Sequence, residues 1–249
     1  MKLDFTDKVI IVTGGTRGIG NGIVTKLISL GAYVISTGTN NLEIIKLNKN
    51  AKLNGIKCEY YCVDFNSDKS LNIFLGEVKK LNKIDCLINN AGINILNSMG
   101  SIISDDMESM MKTNLIAPIK IMDSVIDSMK NNKCGKIVNI SSIYGKISKE
   151  KRVLYTSTKY GINGLTVGAS VELAKFNILV NSVSPGFVLT DLTKKNLTTI
   201  EINKLKKVIP IQRLANVEDI INPIIFLISD YNTYITGQNV IVDGGYTSI

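Results

Sequence analysis

No histidine occurs in the 249 residues. That removes the commonest metal ligand and the usual general base near neutral pH. Proton transfer must therefore fall to other side chains, and no metal is expected. The cysteines, Cys58, Cys62, Cys86 and Cys134, form no CxxC pair. They read as packed or free thiols in a reducing compartment. No apolar run reaches the roughly 20 residues needed to span a bilayer. The opening residues 1–8 are charged and lack the apolar centre of a signal peptide. A soluble, cytoplasmic protein with no membrane partner is the expectation. Arginine is scarce, with only Arg17, Arg152 and Arg213 among the 29 basic residues. The net charge of +8 is carried mainly by lysine. No block of about five or six like charges concentrates it, so it reads as a solvated surface. Nothing resembles a helix-turn-helix, zinc finger or RNA-recognition motif, and no nucleic-acid partner is expected.

What is present is a regular alternation. Short apolar runs at 8–13, 32–37, 57–63, 85–89, 136–140, 178–183 and 239–242 read as strands. Segments of helical period follow at 19–30, 42–53, 71–81, 105–130, 155–176 and 217–229. Strands that are apolar throughout, each followed by a helix, imply a parallel sheet covered on both faces. Right-handed crossovers make it doubly wound. The expected fold is therefore α/β: a doubly wound parallel (Rossmann) sheet of about seven strands. No linker, repeat or low-complexity segment divides the chain, so residues 1–249 read as a single domain. The polar, lysine-rich stretch 187–210 has weak periodicity and reads as a segment that covers the substrate.

The first strand runs into Thr13-Gly14-Gly15-Thr16-Arg17-Gly18-Ile19-Gly20, and a helix follows at once. Glycines at this spacing let the backbone turn tightly against a pyrophosphate, and the helix N-terminus offers that anion its free N–H groups. Gly14, Thr16, Arg17, Gly18, Ile19 and Gly20 are the expected cofactor contacts. An NAD site usually places an acid at the end of the second strand to hold the ribose 2′-hydroxyl. Here that strand ends Ser36-Thr37-Gly38-Thr39, and the nearest acid is Glu43. Arg17 can pair with a 2′-phosphate and Thr37 can donate to it. NADP(H) is the expected cofactor, with NAD(H) second.

Tyr155 and Lys159 stand four apart at the start of a long helix and so share one face. An ammonium beside a phenol favours the phenolate and lowers its pKa, which suits general acid–base work. Ser141 and Ser142 follow the fifth strand, at the sheet edge where such folds bind ligands. Alternation allows only one of the two to face the site.

Taken together, Thr13-Gly14 with Gly18 and Gly20, Asn89-Asn90-Ala91-Gly92, Asn114, Ser142, Tyr155 with Lys159, Pro185-Gly186 and Asp243-Gly244-Gly245 resemble the short-chain dehydrogenase/reductase family over essentially the whole chain. The resemblance implies hydride transfer between a nicotinamide and a carbonyl or secondary alcohol. It implies that Tyr155 exchanges the proton, Ser142 bonds the substrate oxygen, and Lys159 lowers the tyrosine pKa and binds the nicotinamide ribose. Asn114 would position a water. Asp64 would contact the adenine, and Asn90 with Ala91 and Gly92 would border the adenosine. Pro185, Gly186 and Thr190 would line the nicotinamide side. It also implies a homotetramer paired through the two long helices.

The nearest subgroup resembled is the 3-oxoacyl-carrier-protein reductases, whose acidic partner would suit a basic protein. Two positions depart from it: Ile93-Asn94-Ile95-Leu96 follows Gly92, and Phe176 stands where an arginine helps dock the carrier, leaving Lys130 and Lys133 as docking cations. A sugar, polyol or small-ketone reductase is the alternative substrate class. A non-catalytic dinucleotide-binding regulator would lack an intact Asn114, Ser142, Tyr155 and Lys159. A nucleotide-sugar epimerase would need a larger substrate domain.

Overall fold

Alternation along the first strand sorts the core into two layers. In β1 (Val9–Val12), Ile10 and Val12 join one buried cluster and Ile11 joins another. The first cluster packs against α1 (Gly18–Ser29) and α8 (Val217–Ile228), through Ile23, Leu27, Ile220 and Ile224 among others. The second packs against α3 (Asp68–Lys79) and α5 (Ala117–Asn131), through Leu71, Phe74, Ile121 and Val125. Burial of both faces is why β1 is apolar at all four positions.

The computed structural model describes residues 3–190, 193 and 198–248. After β1 come β2 (Tyr33–Gly38), β3 (Cys58–Cys62), β4 (Cys86–Asn89), β5 (Gly135–Ile140), β6 (Ile178–Pro185) and β7 (Asn239–Val242). They form one seven-stranded sheet in the order β3-β2-β1-β4-β5-β6-β7, with all neighbours parallel. This is the expected doubly wound α/β sheet. The remaining helices are α2 (Asn41–Leu53), α4 (Ser104–Met111), α6 (Val153–Leu173) and α7 (Thr199–Val208). Among the described residues no helix is long and apolar enough to cross a membrane.

Two elements differ from the periodicity reading. The helix expected over 105–130 is α4 and α5 joined by a π turn at Lys112–Ile116. There the Ala117 N–H reaches back five residues to the Lys112 carbonyl. Pro118 lies at the start of α5 and has no N–H to return to the Asn114 carbonyl, which favours the wider turn. Within 187–210, α7 forms where no helix is expected. Its start carries a capping box: Thr198 Oγ1 accepts from the Glu201 N–H at 3.3 Å, and the Glu201 carboxylate accepts from the Thr198 N–H at 2.8 Å. That Thr-x-x-Glu signature is readable in the sequence. Positions 191, 192 and 194–197 of the segment lie outside the described residues.

Candidate active site

Strand β1 bonds to both β2 and β4, so the strand order reverses there. A crevice opens beyond the carboxyl ends of the strands at such a point. The glycine turn and Asn90-Ala91-Gly92 flank it. Gly14 and Gly18 have φ of +67° and +55°, a region costly for any side chain. A Cβ on Gly20 would overlap the Gly14 carbonyl oxygen, and one on Gly15 would overlap Ser36 Oγ. Asn90 braces the two loops, donating to the Thr13 and Gly14 carbonyls at 2.9 and 3.0 Å. The N–H groups of Asn90 and Ala91 both donate to Thr13 Oγ1 at 3.0 Å. No side chain caps the start of α1 at Arg17. The first-turn N–H groups of α1 therefore face a cradle that side chains cannot fill, which fits a pyrophosphate.

Thr16 and Ile19 are half-buried and Arg17 is exposed. Thr37 departs from its expected role. It is 1% exposed, and its hydroxyl turns inward to accept from the Gly14 N–H at 3.0 Å. It holds the turn instead of facing a 2′-phosphate. Thr39 and Asn40 are the exposed residues past β2, and Asn40 caps α2 by accepting from the Glu43 N–H at 3.1 Å. No carboxylate thus stands at the β2 end itself. Asp64 is exposed and accepts from the Asn66 N–H at 2.9 Å, the geometry of a turn former.

Ser142 and Tyr155 come together. Ser142 begins a short 3₁₀ turn, Ile143–Gly145, where its Oγ accepts from the Tyr144 N–H at 3.2 Å. It stands close enough to the Tyr155 hydroxyl to draw that phenol's pKa down. Ser141 turns away and donates to the Lys159 carbonyl at 3.2 Å, so of the adjacent pair it is Ser142 that meets the phenol. Lys159 is 4% exposed. Its Nζ donates to the Ile140 carbonyl at 2.8 Å and lies 5.5 Å from the centre of the Tyr155 ring. Gly92 borders it: a Cβ there would sit 3.7 Å from Lys159 Nζ and 3.4 Å from Asn114 Oδ1. The Asn114 side chain is fully engaged. Its Oδ1 accepts from the Ile93 N–H at 2.8 Å, and its Nδ2 donates to the Ile93 carbonyl at 2.8 Å and to Thr158 Oγ1 at 3.2 Å.

The titration of this group differs from the expectation that Lys159 lowers the Tyr155 pKa. Burial holds the Tyr155 phenol above its ordinary value, and the nearby Ser142 hydroxyl and the Arg152 charge recover only part of that rise. Burial also pushes Lys159 down from 10.5 to about 8. The physical reason is position: the ammonium bonds a strand carbonyl, and among the described residues no carboxylate accompanies it into the interior.

Across the crevice, β6 ends at Pro185, and the Gly186 N–H donates to the Val242 carbonyl at 2.9 Å. A Cβ on Gly186 would sit 2.8 Å from Asp243 Cα. A Cβ on Gly18 would lie 3.9 Å from Thr190 Cγ2, so the start of the 187–210 segment stands over the glycine turn. Thr190 Oγ1 pairs with Thr193 Oγ1 at 3.0 Å, and Phe187 packs edge-on against Tyr246 at 5.1 Å. Two residues not anticipated at the site are Tyr144, whose ring meets that of Tyr155 edge-on at 6.0 Å, and Arg152, whose guanidinium lies 5.4 Å from the centre of the Tyr144 ring. The signal available for Arg152 was its place three residues before Tyr155, at the entry to α6.

The family model described as short chain dehydrogenase matches residues 8–201. A 3-oxoacyl-[acyl-carrier-protein] reductase of Aquifex aeolicus is 36% identical over 98% of this chain and 99% of its own. An L-rhamnose 1-dehydrogenase (NADP(+)) of Thermoplasma acidophilum is 35% identical over 98% of this chain and 97% of its own. Among solved structures, a gluconate 5-dehydrogenase from Burkholderia cenocepacia in complex with NADP and tartrate superposes with a TM-score of 0.91. It is 26% identical and is covered to 98%, with 100% of this chain covered. With most of its length matched by the family model and its sheet edge arranged as described, the chain belongs to the short-chain dehydrogenase/reductase family and is an NAD(P)-dependent oxidoreductase acting on the CH–OH/C=O couple.

Proposed function

We propose that this enzyme reduces a ketone with NADPH, using Tyr155 as the proton donor. The observation that carries the reading is the cluster at the carboxyl edge of the sheet: the Tyr155 phenol, kept protonated by burial, beside Ser142, with the Lys159 Nζ 5.5 Å from its ring centre. A bound nicotinamide supplies the hydride to the carbonyl carbon. Tyr155 gives its proton to the carbonyl oxygen, and the alcohol leaves; the reverse direction returns both. Ser142 bonds that oxygen as charge develops on it. Lys159, buried behind the phenol, offers an ammonium to the nicotinamide ribose. The Asn114 carbonyl, lacking the N–H that Pro118 cannot provide, is the acceptor for a water on the path from Lys159 to solvent. The cradle formed by Gly14, Thr16, Gly18, Ile19 and Gly20 holds the pyrophosphate, Asp64 and Asn90-Ala91-Gly92 border the adenosine, and Pro185-Gly186 with Thr190 line the nicotinamide. The described start of the 187–210 segment, which reaches over the glycine turn at Thr190, borders the substrate space.

NADP(H) is favoured because no acid stands at the β2 end, while Arg17 is exposed at the mouth of the glycine turn. Two substrate classes are supported by different observations. A 3-oxoacyl group on an acidic carrier protein is supported by the reductase of Aquifex aeolicus. A sugar, polyol or small ketone is supported by the rhamnose and gluconate enzymes and by Phe176. The Lys130 and Lys175 ammonium groups both lie over that ring, 4.9 and 5.2 Å from its centre, so it engages two cations otherwise available for docking a carrier. The test is a panel of acetoacetyl thioesters, sugars and simple ketones, followed by oxidation of NADPH and of NADH. Turnover is expected with kcat/KM at least roughly tenfold higher for NADPH, the worth of one charge-assisted contact to the phosphate. A preference for NADH removes the role of Arg17, and inertness toward the whole panel overturns the reading.

The outer face of α6 carries Tyr160, Gly164, Val167, Gly168 and Val171, with Val167 and Val171 53% and 76% exposed. A stripe of small and apolar residues on a helix face suits close helix pairing across a two-fold axis. A homotetramer is the proposed assembly. Light scattering should return four times the 27.2 kDa protomer, and a stable monomer at micromolar concentration would refute the pairing.

A further inference from the structure

We infer that Arg152 is an anion subsite at the mouth of the active site, and that the substrate of this enzyme is an oxo acid whose carboxylate docks there beside the reacting carbonyl. The inference rests on the reading of Tyr155 as the proton donor.

Three features of Arg152 lead to it. The first is position. Arg152 immediately precedes α6 and stands three residues before Tyr155, which lies in the helix's first turn. Its backbone is held from two sides. It pairs with Asn97 in an isolated bridge, and its carbonyl accepts from the Thr156 N–H at 2.7 Å. The loop after β4 and the start of α6 thus fix where the guanidinium originates.

The second is orientation. The guanidinium lies 5.4 Å from the centre of the Tyr144 ring, and that ring meets Tyr155 edge-on at 6.0 Å. A cation over an aromatic face is confined in direction and keeps the edges of its fork free for a ligand. Its charge is felt at the Tyr155 hydroxyl, where it opposes the effect of burial.

The third is the lack of any other use. Arg213, by contrast, forms a two-pronged pair with Asp219 at 2.6 and 3.0 Å. Among the described residues Arg152 forms no ion pair with a carboxylate, and its side chain does not cap α6. It is nevertheless half-buried, and partly desolvating a charge without a counter-ion is costly. A planar carboxylate would complete the pair through two parallel N–H···O bonds, the geometry a guanidinium matches best. A thioester carbonyl offers one neutral acceptor in the same place and gains far less. A bound carboxylate would also cancel the charge that draws the phenol down. Tyr155 would then keep the proton that reduction consumes.

The experiment compares acetoacetate and 5-ketogluconate, each beside its own methyl ester, in the wild type and in Arg152→Met and Arg152→Lys, with NADPH saturating. The readout is the acid-to-ester ratio of kcat/KM within each protein, so a general loss of activity cancels. The wild type should prefer the acids. Arg152→Met should lower the ratio by roughly 10- to 100-fold, the worth of a charge-assisted pair, mainly through KM. Arg152→Lys should restore part of it. A second readout needs no turnover: calorimetric titration of malonate into the NADPH-loaded proteins, with binding to the wild type at least about tenfold tighter than to Arg152→Met. Ketone turnover with an unchanged acid-to-ester ratio in Arg152→Met overturns the subsite and leaves the reductase reading standing. Arginine-dependent malonate binding with no turnover of any carbonyl keeps the subsite and overturns the reductase reading.

Discussion

Replacing Tyr155 by phenylalanine should lower kcat for ketone reduction by roughly a thousandfold, within the range that a positioned general acid contributes. The affinity for NADPH should stay within about threefold of the wild type, because no hydrogen bond to the cofactor cradle runs through the phenol. The deleted atom is confined to one interaction set. The ring keeps its edge-on contact with Tyr144, and Ser142 still accepts from the Tyr144 N–H. Lys159 bonds the Ile140 carbonyl and not the phenol, so its position does not depend on the hydroxyl. Stopped-flow absorbance of NADPH and a fluorescence titration of the same nucleotide measure the two quantities. A variant that retains a tenth of wild-type kcat would remove Tyr155 from the proton-transfer step.

The second large effect concerns Lys159, where stability and activity should move in opposite directions. Its folded pKa of about 8 lies below the ordinary 10.5. Below pH 8 the lysine is charged in both folded and unfolded chains, and the cost of burying that charge is fully present. Between about pH 8 and 10.5 the folded protein releases the proton first, so the cost fades as pH rises. Lys159→Met removes it altogether. The cofactor-free variant should therefore be more stable than the wild type at pH 7, by an amount up to about 3 kcal/mol. That margin should shrink when urea unfolding is repeated near pH 10. The same substitution should abolish turnover, since the site loses the ammonium offered to the cofactor ribose. A buried charge kept at the expense of stability is the pattern of a functional residue. A methionine variant less stable than the wild type at pH 7, or a margin that does not change with pH, would contradict this account of the lysine.

Much of the fold was legible because its signals are local. A strand buried on two faces is rich in apolar residues along its length, and a helix covering it repeats every 3.6 residues. The order of elements and the parallel sheet follow from those two periods. Their ends are less sharp: β6 continues through Pro185 and α6 begins at Val153, because the final residues depend on caps and neighbours. The glycine turn was legible for a similar reason, since positive φ at Gly14 and Gly18 is a property of the backbone itself. The π turn and α7 left their marks at Pro118 and in Thr198 with Glu201, but periodicity does not register a proline's missing N–H or a capping box.

Side-chain direction and charge state followed a different rule. That Ser142 rather than Ser141 meets the phenol depends on where α6 crosses the end of β5. That Thr37 faces inward depends on the glycine turn folding back over β2. The low pKa of Lys159 and the raised pKa of Tyr155 come from burial by segments far apart in the chain, which spacing within one helix does not reveal. The amino-acid order thus determined a doubly wound sheet with a dinucleotide-binding turn, because strand periods and glycine positions are properties of short segments, and its motifs carried the resemblance that implied a nicotinamide-dependent oxidoreductase. Which serine serves, how the tyrosine and lysine titrate, and where Arg152 stands were decided by tertiary packing, because desolvation and orientation arise only when those segments close around one another.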